Sequence, residues 1–228
     1  MKPAVLDAGA RARMSLGSSE GAIYRTVETW LAERGASGVL ADVGCGTGNL
    51  SRLLGPRFER VIGVDVAQYA EPPSGIEFRR ADLDRDPLPL QDGEADVAVA
   101  VETIEHLENP RALVRELGRV VRPGGWVLVT TPNQLSVLSL ITLVVKQRFS
   151  AFQDGAYPAH RTSLLEIDLR RIAAEAGLEA VEVRYTCSGR VPLTPLHYPR
   201  ALSRIWPRGL SDNVLLAARV PRAPRRGT

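Results

Sequence analysis

Short apolar runs alternate with amphipathic stretches along most of the chain. The runs are Val39–Val43, Val61–Val66, Ile76–Phe78, Asp96–Val101 and Trp126–Thr131. They are three to six residues long and apolar almost throughout, the pattern of strands buried on both faces. A helix is predicted over Ser19–Glu33, because Ile23, Val27, Trp30 and Leu31 share one helical face. Another is predicted over Arg111–Val121, with Leu113, Val114, Leu117, Val120 and Val121 on one side. Asn109 is a good cap for it, and Pro110 suits the first helical position. Gly124-Gly125 ends that unit. Strands alternating with helices predict an α/β fold, with a parallel sheet covered by helices on both faces.

The pattern changes after the fifth strand. Residues 132–162 read as an insertion or lid containing an apolar helix over 135–145, which is expected to pack on the core. Ser163 and Glu166 form a capping-box pattern that opens a helix running to Ala176, and Gly177 stops it. Leu178–Tyr185 and Val214–Arg219 read as two last strands, which makes seven. Pro192, Pro195, Pro199 and Pro207 predict irregular chain between them. Residues 1–17 read as a loose lead and 220–228 as a basic tail, on a single domain spanning 1–228.

Composition narrows the class. The 228 residues are 44% hydrophobic and 24% charged, which excludes disorder across the whole chain. Cys45 and Cys187 are the only cysteines, too few for a disulfide scaffold or a four-cysteine zinc site. The net charge of +3 rests almost wholly on arginine, since Lys2 and Lys146 are the only lysines. A surplus this small, with no basic stripe carrying interleaved aromatics, argues against a nucleic-acid partner. Met1–Arg13 lacks the apolar core of a signal peptide. The longest apolar stretch, Leu135–Val145, is about half of what a membrane span requires. Cytoplasmic residence and a small-molecule substrate are the expectations.

The chemistry concentrates after the first strand, in Val39-Leu-Ala-Asp-Val-Gly-Cys-Gly-Thr-Gly-Asn-Leu50. Glycines at 44, 46 and 48 let the backbone turn sharply, and a helix start follows that suits a phosphate or a carboxylate. The dinucleotide fingerprint wants its third glycine one position later, and Asn49 stands there. Asp42, two residues before the first glycine, can pair with an ammonium group. Asp65 ends the second strand, where a carboxylate can accept from two ribose hydroxyls, and Asp82 ends the third, within reach of an adenine amino group.

This series resembles the class I S-adenosylmethionine-dependent methyltransferases, closely over residues 36–133 and by pattern over 160–219. The resemblance implies a Rossmann-like seven-stranded, mainly parallel sheet with a final antiparallel strand. It implies S-adenosyl-L-methionine as cofactor, held by Asp42, Gly44, Cys45, Gly46, Gly48, Asn49, Asp65, Val66, Asp82, Leu83 and Glu102. Arg122-Pro-Gly-Gly125 before the fifth strand is similar to the same family.

The fourth strand ends in Val101-Glu-Thr-Ile-Glu-His-Leu107, which puts Glu102, Glu105 and His106 beside the expected methyl group. Two carboxylates and an imidazole can ligate a divalent ion, and oxygen-rich ligation suits Mg2+ or Mn2+. The segment resembles two metal-using branches, the O-methyltransferases of ubiquinone biosynthesis and the 2′-O-methyltransferases of small-RNA 3′ ends. By that resemblance Glu102, Glu105, His106 and His160 match metal-holding roles. A metal-free site stays open beside it, with Glu102 framing the cofactor and His106 acting as base or helix cap. The acceptor pocket is expected from residues 1–25, 132–162 and 187–212, with Phe149, Phe152 and Tyr157 as possible lining. The leading reading is O-methylation of a hydroxyl on a sugar, catechol or other natural product, with His106 as base and Glu102 beside it. The alternatives are 2′-O-methylation of RNA 3′ ends and a non-catalytic cofactor-binding subunit.

Overall fold

A computed structural model describes residues 8–14, 17–67 and 75–222. Seven strands form one sheet: β1 (Val39–Val43), β2 (Arg60–Asp65), β3 (Ile76–Arg80), β4 (Ala95–Ala100), β5 (Val121–Pro132), β6 (Glu179–Tyr185) and β7 (Asn213–Arg219). Their spatial order is β3-β2-β1-β4-β5-β7-β6. The first five run parallel, while β7 runs antiparallel to both β5 and β6. The expected α/β class, with its seven strands and antiparallel end, is the observed one.

Alternation along the strands sends side chains to opposite faces, and each face meets its own helices. Helices α2 (Gly21–Glu33) and α3 (Asn49–Leu54) cover one face, packing Ile23, Val27, Trp30, Leu31, Leu50 and Leu54 against Leu40, Val61, Val97, Val99 and Leu128. Helices α4 (Pro110–Val120) and α6 (Glu166–Glu175) cover the other. There Leu113, Val114, Leu117, Leu169, Ile172 and Ala173 meet Ala41, Val43, Ile62, Val64, Ala98 and Val127. The α4 cap is the expected one: the Asn109 side chain accepts from the Ala112 N–H at 3.1 Å.

Several local expectations differ from what is observed. Residues Ala8–Met14 form a helix, α1, where a loose lead was expected. The cap of α6 lies two residues later than the Ser163–Glu166 pattern: Leu165 N–H donates to Asp168 Oδ2 at 3.0 Å, and Glu166 is the first helical residue. Thr162 and Arg161 are held instead by the Glu105 carbonyl, which keeps Ser163 outside the helix. Strand β5 starts at Val121, five residues early, because Val121 pairs with Ala95 across a register shift. The apolar helix α5 (Val137–Lys146) does not pack on the core: Leu140, Ile141, Val144 and Val145 are exposed, and Ser139 is its buried residue. A short helix, α7 (Arg200–Ile205), interrupts the proline-rich stretch. Residues 223–228 of the expected tail lie outside the described residues.

Candidate active site

The carboxyl ends of β1, β2, β3 and β4 open onto a cavity of about 370 Å³. Parallel sheets place their ligand sites at this end. Gly44, Cys45 and Gly46 form part of its wall, in a loop fixed by backbone bonds from the Gly44 and Cys45 N–H groups to the Val64 carbonyl. Gly46 has φ +51°, and a Cβ there would lie 2.2 Å from the Gly17 carbonyl oxygen. Thr47 clamps that same carbonyl through its N–H at 2.8 Å and its hydroxyl at 3.0 Å. The glycine is therefore needed to let the segment leading into α2 close over the loop. That segment supplies Gly17, Ser18, Ser19, Glu20, Ile23 and Tyr24 to the cavity.

Three carboxylates face the cavity from successive strands. Asp42 is buried and accepts from the Ser51 hydroxyl at 2.6 Å; burial pushes its carboxyl up to about 6. Asp65 accepts from Gly46 N–H at 2.9 Å and from Ala67 N–H at 3.1 Å, so it is oriented across the glycine loop. Burial raises its carboxyl as well. Asp82 stands on the turn after β3, where its Oδ1 accepts from Asp84 N–H at 3.1 Å. Val66 and Leu83 line the cavity beside them. The Cys45 thiol is pushed far up by burial, which leaves it unreactive.

The acid–histidine segment lines the same cavity. Glu102 has φ +48°, a conformation non-glycine residues rarely adopt. Its carboxyl is buried between Thr130, whose hydroxyl donates to Oε1 at 3.1 Å, and Asn213, whose amide donates to Oε2 at 2.8 Å. Desolvation pushes it up to about 8, which favours its neutral form. Glu105 is fully buried, and burial together with the nearby Glu102 raises it well above the carboxylate range. Thr131 donates to its Oε2 at 3.2 Å, while its Oε1 is buried with no hydrogen-bond partner. The rings of His106 and His160 meet edge to face, with centroids 4.8 Å apart. His106 Nδ1 lies 2.9 Å from the Ala159 carbonyl, and His160 Nδ1 lies 2.7 Å from the Ala151 carbonyl. A carbonyl only accepts, so each Nδ1 carries a proton, and in the neutral form of each ring the lone pair is on Nε2. Burial lowers the pKa of His160, which keeps it neutral. Glu105, His106 and His160 each present a ligand atom within 4.8 Å of the others.

The profile of a family described as a methyltransferase domain matches residues 19–183. The chain belongs to that family. A protein of Mycolicibacterium smegmatis named "Probable S-adenosylmethionine-dependent methyltransferase" is 33% identical over 162 residues, 68% of this chain and 58% of that protein. A ubiquinone biosynthesis O-methyltransferase of Thiobacillus denitrificans is 28% identical over 151 residues, 62% of this chain and 65% of its own length. The chain thus spans about three fifths of these curated relatives. A crystal structure of a SAM-dependent methyltransferase from Archaeoglobus fulgidus superposes with a TM-score of 0.65 over 91% of this chain and 97% of that one. At 16% identity this likeness establishes the fold alone.

Within this methyltransferase domain, most residues singled out from the sequence converge on the cavity. Asp42, Gly44, Cys45, Gly46, Asp65, Val66, Asp82, Leu83, Glu102, Glu105, His106 and His160 all line it. Gly48 and Asn49 do not: Gly48 caps α3 with φ +73°, and the Asn49 side chain faces Arg52 at 2.8 Å. Glu102 is held apart from the cluster of Glu105, His106 and His160, because Thr130 and Asn213 take its oxygens. Phe149, Phe152 and Tyr157 are not wall residues. Phe152 instead stacks against His160 at 5.4 Å, and Tyr157 is exposed. Sequence reasoning missed Thr130, Thr131 and Asn213, which hold Glu102 and Glu105. Their only signal was position at the strand ends opposite Glu102.

Proposed function

We propose that this methyltransferase domain moves a methyl group from S-adenosyl-L-methionine to a hydroxyl of a small molecule. One observation carries the reading: Asp42, Asp65 and Asp82 line the same cavity as His106, His160 and Glu105. The first set suits the polar ends of an adenosyl amino acid. Asp65 is preset for ribose hydroxyls by its two backbone N–H bonds. Asp42, with its hydroxyl partner Ser51, suits an ammonium group.

A sulfonium methyl leaves a neutral thioether behind, so no leaving-group acid is required. The chain's work is alignment, exclusion of water and removal of the acceptor proton. His106 is assigned the proton, because its Nδ1–H is anchored on Ala159 and its Nε2 carries the lone pair. Protonated Glu102, locked by Thr130 and Asn213, shapes the wall next to it without adding charge.

The residues present also fit a divalent ion. Glu105 Oε1 lacks a partner inside the protein, and both histidines are fixed with Nε2 as the ligating nitrogen. With one carboxylate and two imidazoles, the set favours manganese over magnesium. A bound ion would lower the acceptor hydroxyl's pKa.

The test is a screen of hydroxylated metabolites with labelled methyl donor, run with and without Mn2+ and Mg2+. The expected result is transfer to an oxygen, reduced about a hundredfold or more in His106→Ala with cofactor affinity kept. Unchanged turnover in that variant removes His106 from the chemistry.

A further inference from the structure

Helix α5 is inside out. Its polar residue Ser139 is buried, and so is its cap Ser136, while Leu140, Ile141, Val144 and Val145 face solvent. At about 100° per residue these four fall within roughly 140° of the helix circumference, opposite Ser139. Val144 is 75% exposed. The stretch before β7 repeats the inversion: Ser203 is buried, while Leu193, Leu196, Leu202, Ile205 and Trp206 are exposed. The two stretches are joined at their bases. Val137 N–H donates to the Gly209 carbonyl at 2.8 Å, and the Asn133 amide donates to the carbonyls of Arg208 and Ser211 at 2.7 and 2.8 Å.

Charge separates the possible occupants. Residues 132–153 and 187–211 hold six of the 29 basic residues and none of the 26 acidic ones, so the chain's +3 becomes −3 outside them. Arg148, Arg190 and Arg208 pair with Asp154, Asp212 and Glu166, acids that lie outside both stretches. Lys146, Arg200 and Arg204 have no ion pair among the described residues. A second copy docked face to face would set these cations against their own kind. An anionic lipid surface would meet both the cations and the apolar side chains.

We propose that the outer faces of α5 and of residues 193–206 form a docking surface for an anionic bilayer. Helix α5, at ten residues, is about 15 Å long, half a hydrocarbon core, so it lies in the interface and does not cross it. Among the described residues no helix is long and apolar enough to span a membrane. The feet of both stretches line the cavity, Pro132, Ser150 and Ala151 from one and Arg190 and Asp212 from the other. Given the acceptor chemistry assigned under Proposed function, this placement makes the acceptor an amphiphile drawn from the bilayer.

The test is flotation of the whole chain, without cofactor, on phosphatidylcholine vesicles prepared with and without phosphatidylglycerol. Binding is expected on the anionic vesicles, weakened by salt, with a shift of Trp206 emission to the blue. Val144→Asp with Val145→Asp should cut partitioning by about tenfold or more. Arg200→Gln with Arg204→Gln should cut it by a similar factor. Cofactor affinity, a check on folding, should hold in both variants because none of these residues lines the cavity. Equal binding to both vesicle types, no binding to either, or a dimer that the valine variant dissolves would overturn the proposal. Turnover of a soluble acceptor by a chain that ignores vesicles would leave the proposed function standing and remove this surface alone.

Discussion

The amide of Asn213, the first residue of β7, donates to the carboxyl of Glu102 at 2.8 Å across 111 positions of sequence. Among the described residues it is one of two side-chain donors to that carboxyl, and Thr130 is the other. Asn213→Ala should therefore leave a buried oxygen half satisfied. The expected loss is about 1–3 kcal/mol, read as a lower midpoint in thermal unfolding. An unchanged midpoint would mean that Asn213 does not hold Glu102.

The same pair sets a pH dependence. Burial raises the Glu102 carboxyl to about 8, from an ordinary value of about 4.5 in water. Its folded pKa is raised, so its contribution to stability is full below about 4.5 and is lost as pH climbs toward 8. Glu102→Gln keeps the shape and the neutral state. Its unfolding midpoint should fall less between pH 5 and pH 8 than that of the wild type, by about 3 °C or more. Parallel curves for the two proteins would show that Glu102 is charged in the native site.

Gly46 couples the glycine loop to the chain that covers it. In Gly46→Ala the new Cβ would meet the backbone carbonyl of Gly17 at 2.2 Å, and a residue with φ +51° would become strained. Backbone cannot yield as a flexible side chain does. The segment over 17–20 should lift, and cofactor affinity should fall by more than about tenfold, equivalent to about 1.4 kcal/mol. Calorimetric titration reads this directly. Wild-type affinity in Gly46→Ala would show that the cover plays no part in binding.

Much of this arrangement was legible before any coordinates. Apolar runs of three to six residues between amphipathic stretches specify a parallel, doubly covered sheet, because both requirements are local. Asp42, Asp65 and Asp82 were visible for the same reason, since each stands at or just past the carboxyl end of its own strand. What stayed hidden depends on distant pairing. Thr130 reaches Glu102 because β5 pairs with β4, and Asn213 reaches it because β7 inserts next to β5. The division of Glu102 from Glu105 is likewise invisible in Glu102-Thr-Ile-Glu105, where both carboxylates look equivalent. Helix α5 misled for a different physical reason. Apolar periodicity reports which face avoids water, and it cannot say whether that face turns to the protein's own core.

The central claim is that the carboxyl edge of the sheet grips an adenosyl amino acid. Calorimetric titration of the purified chain with S-adenosylhomocysteine, beside Asp65→Ala, tests it most directly. The expected outcome is one saturable site in the wild type, with affinity reduced more than about tenfold in the variant through loss of the ribose contacts. Absence of saturable heat in the wild type, or equal affinity in the two proteins, would contradict the account.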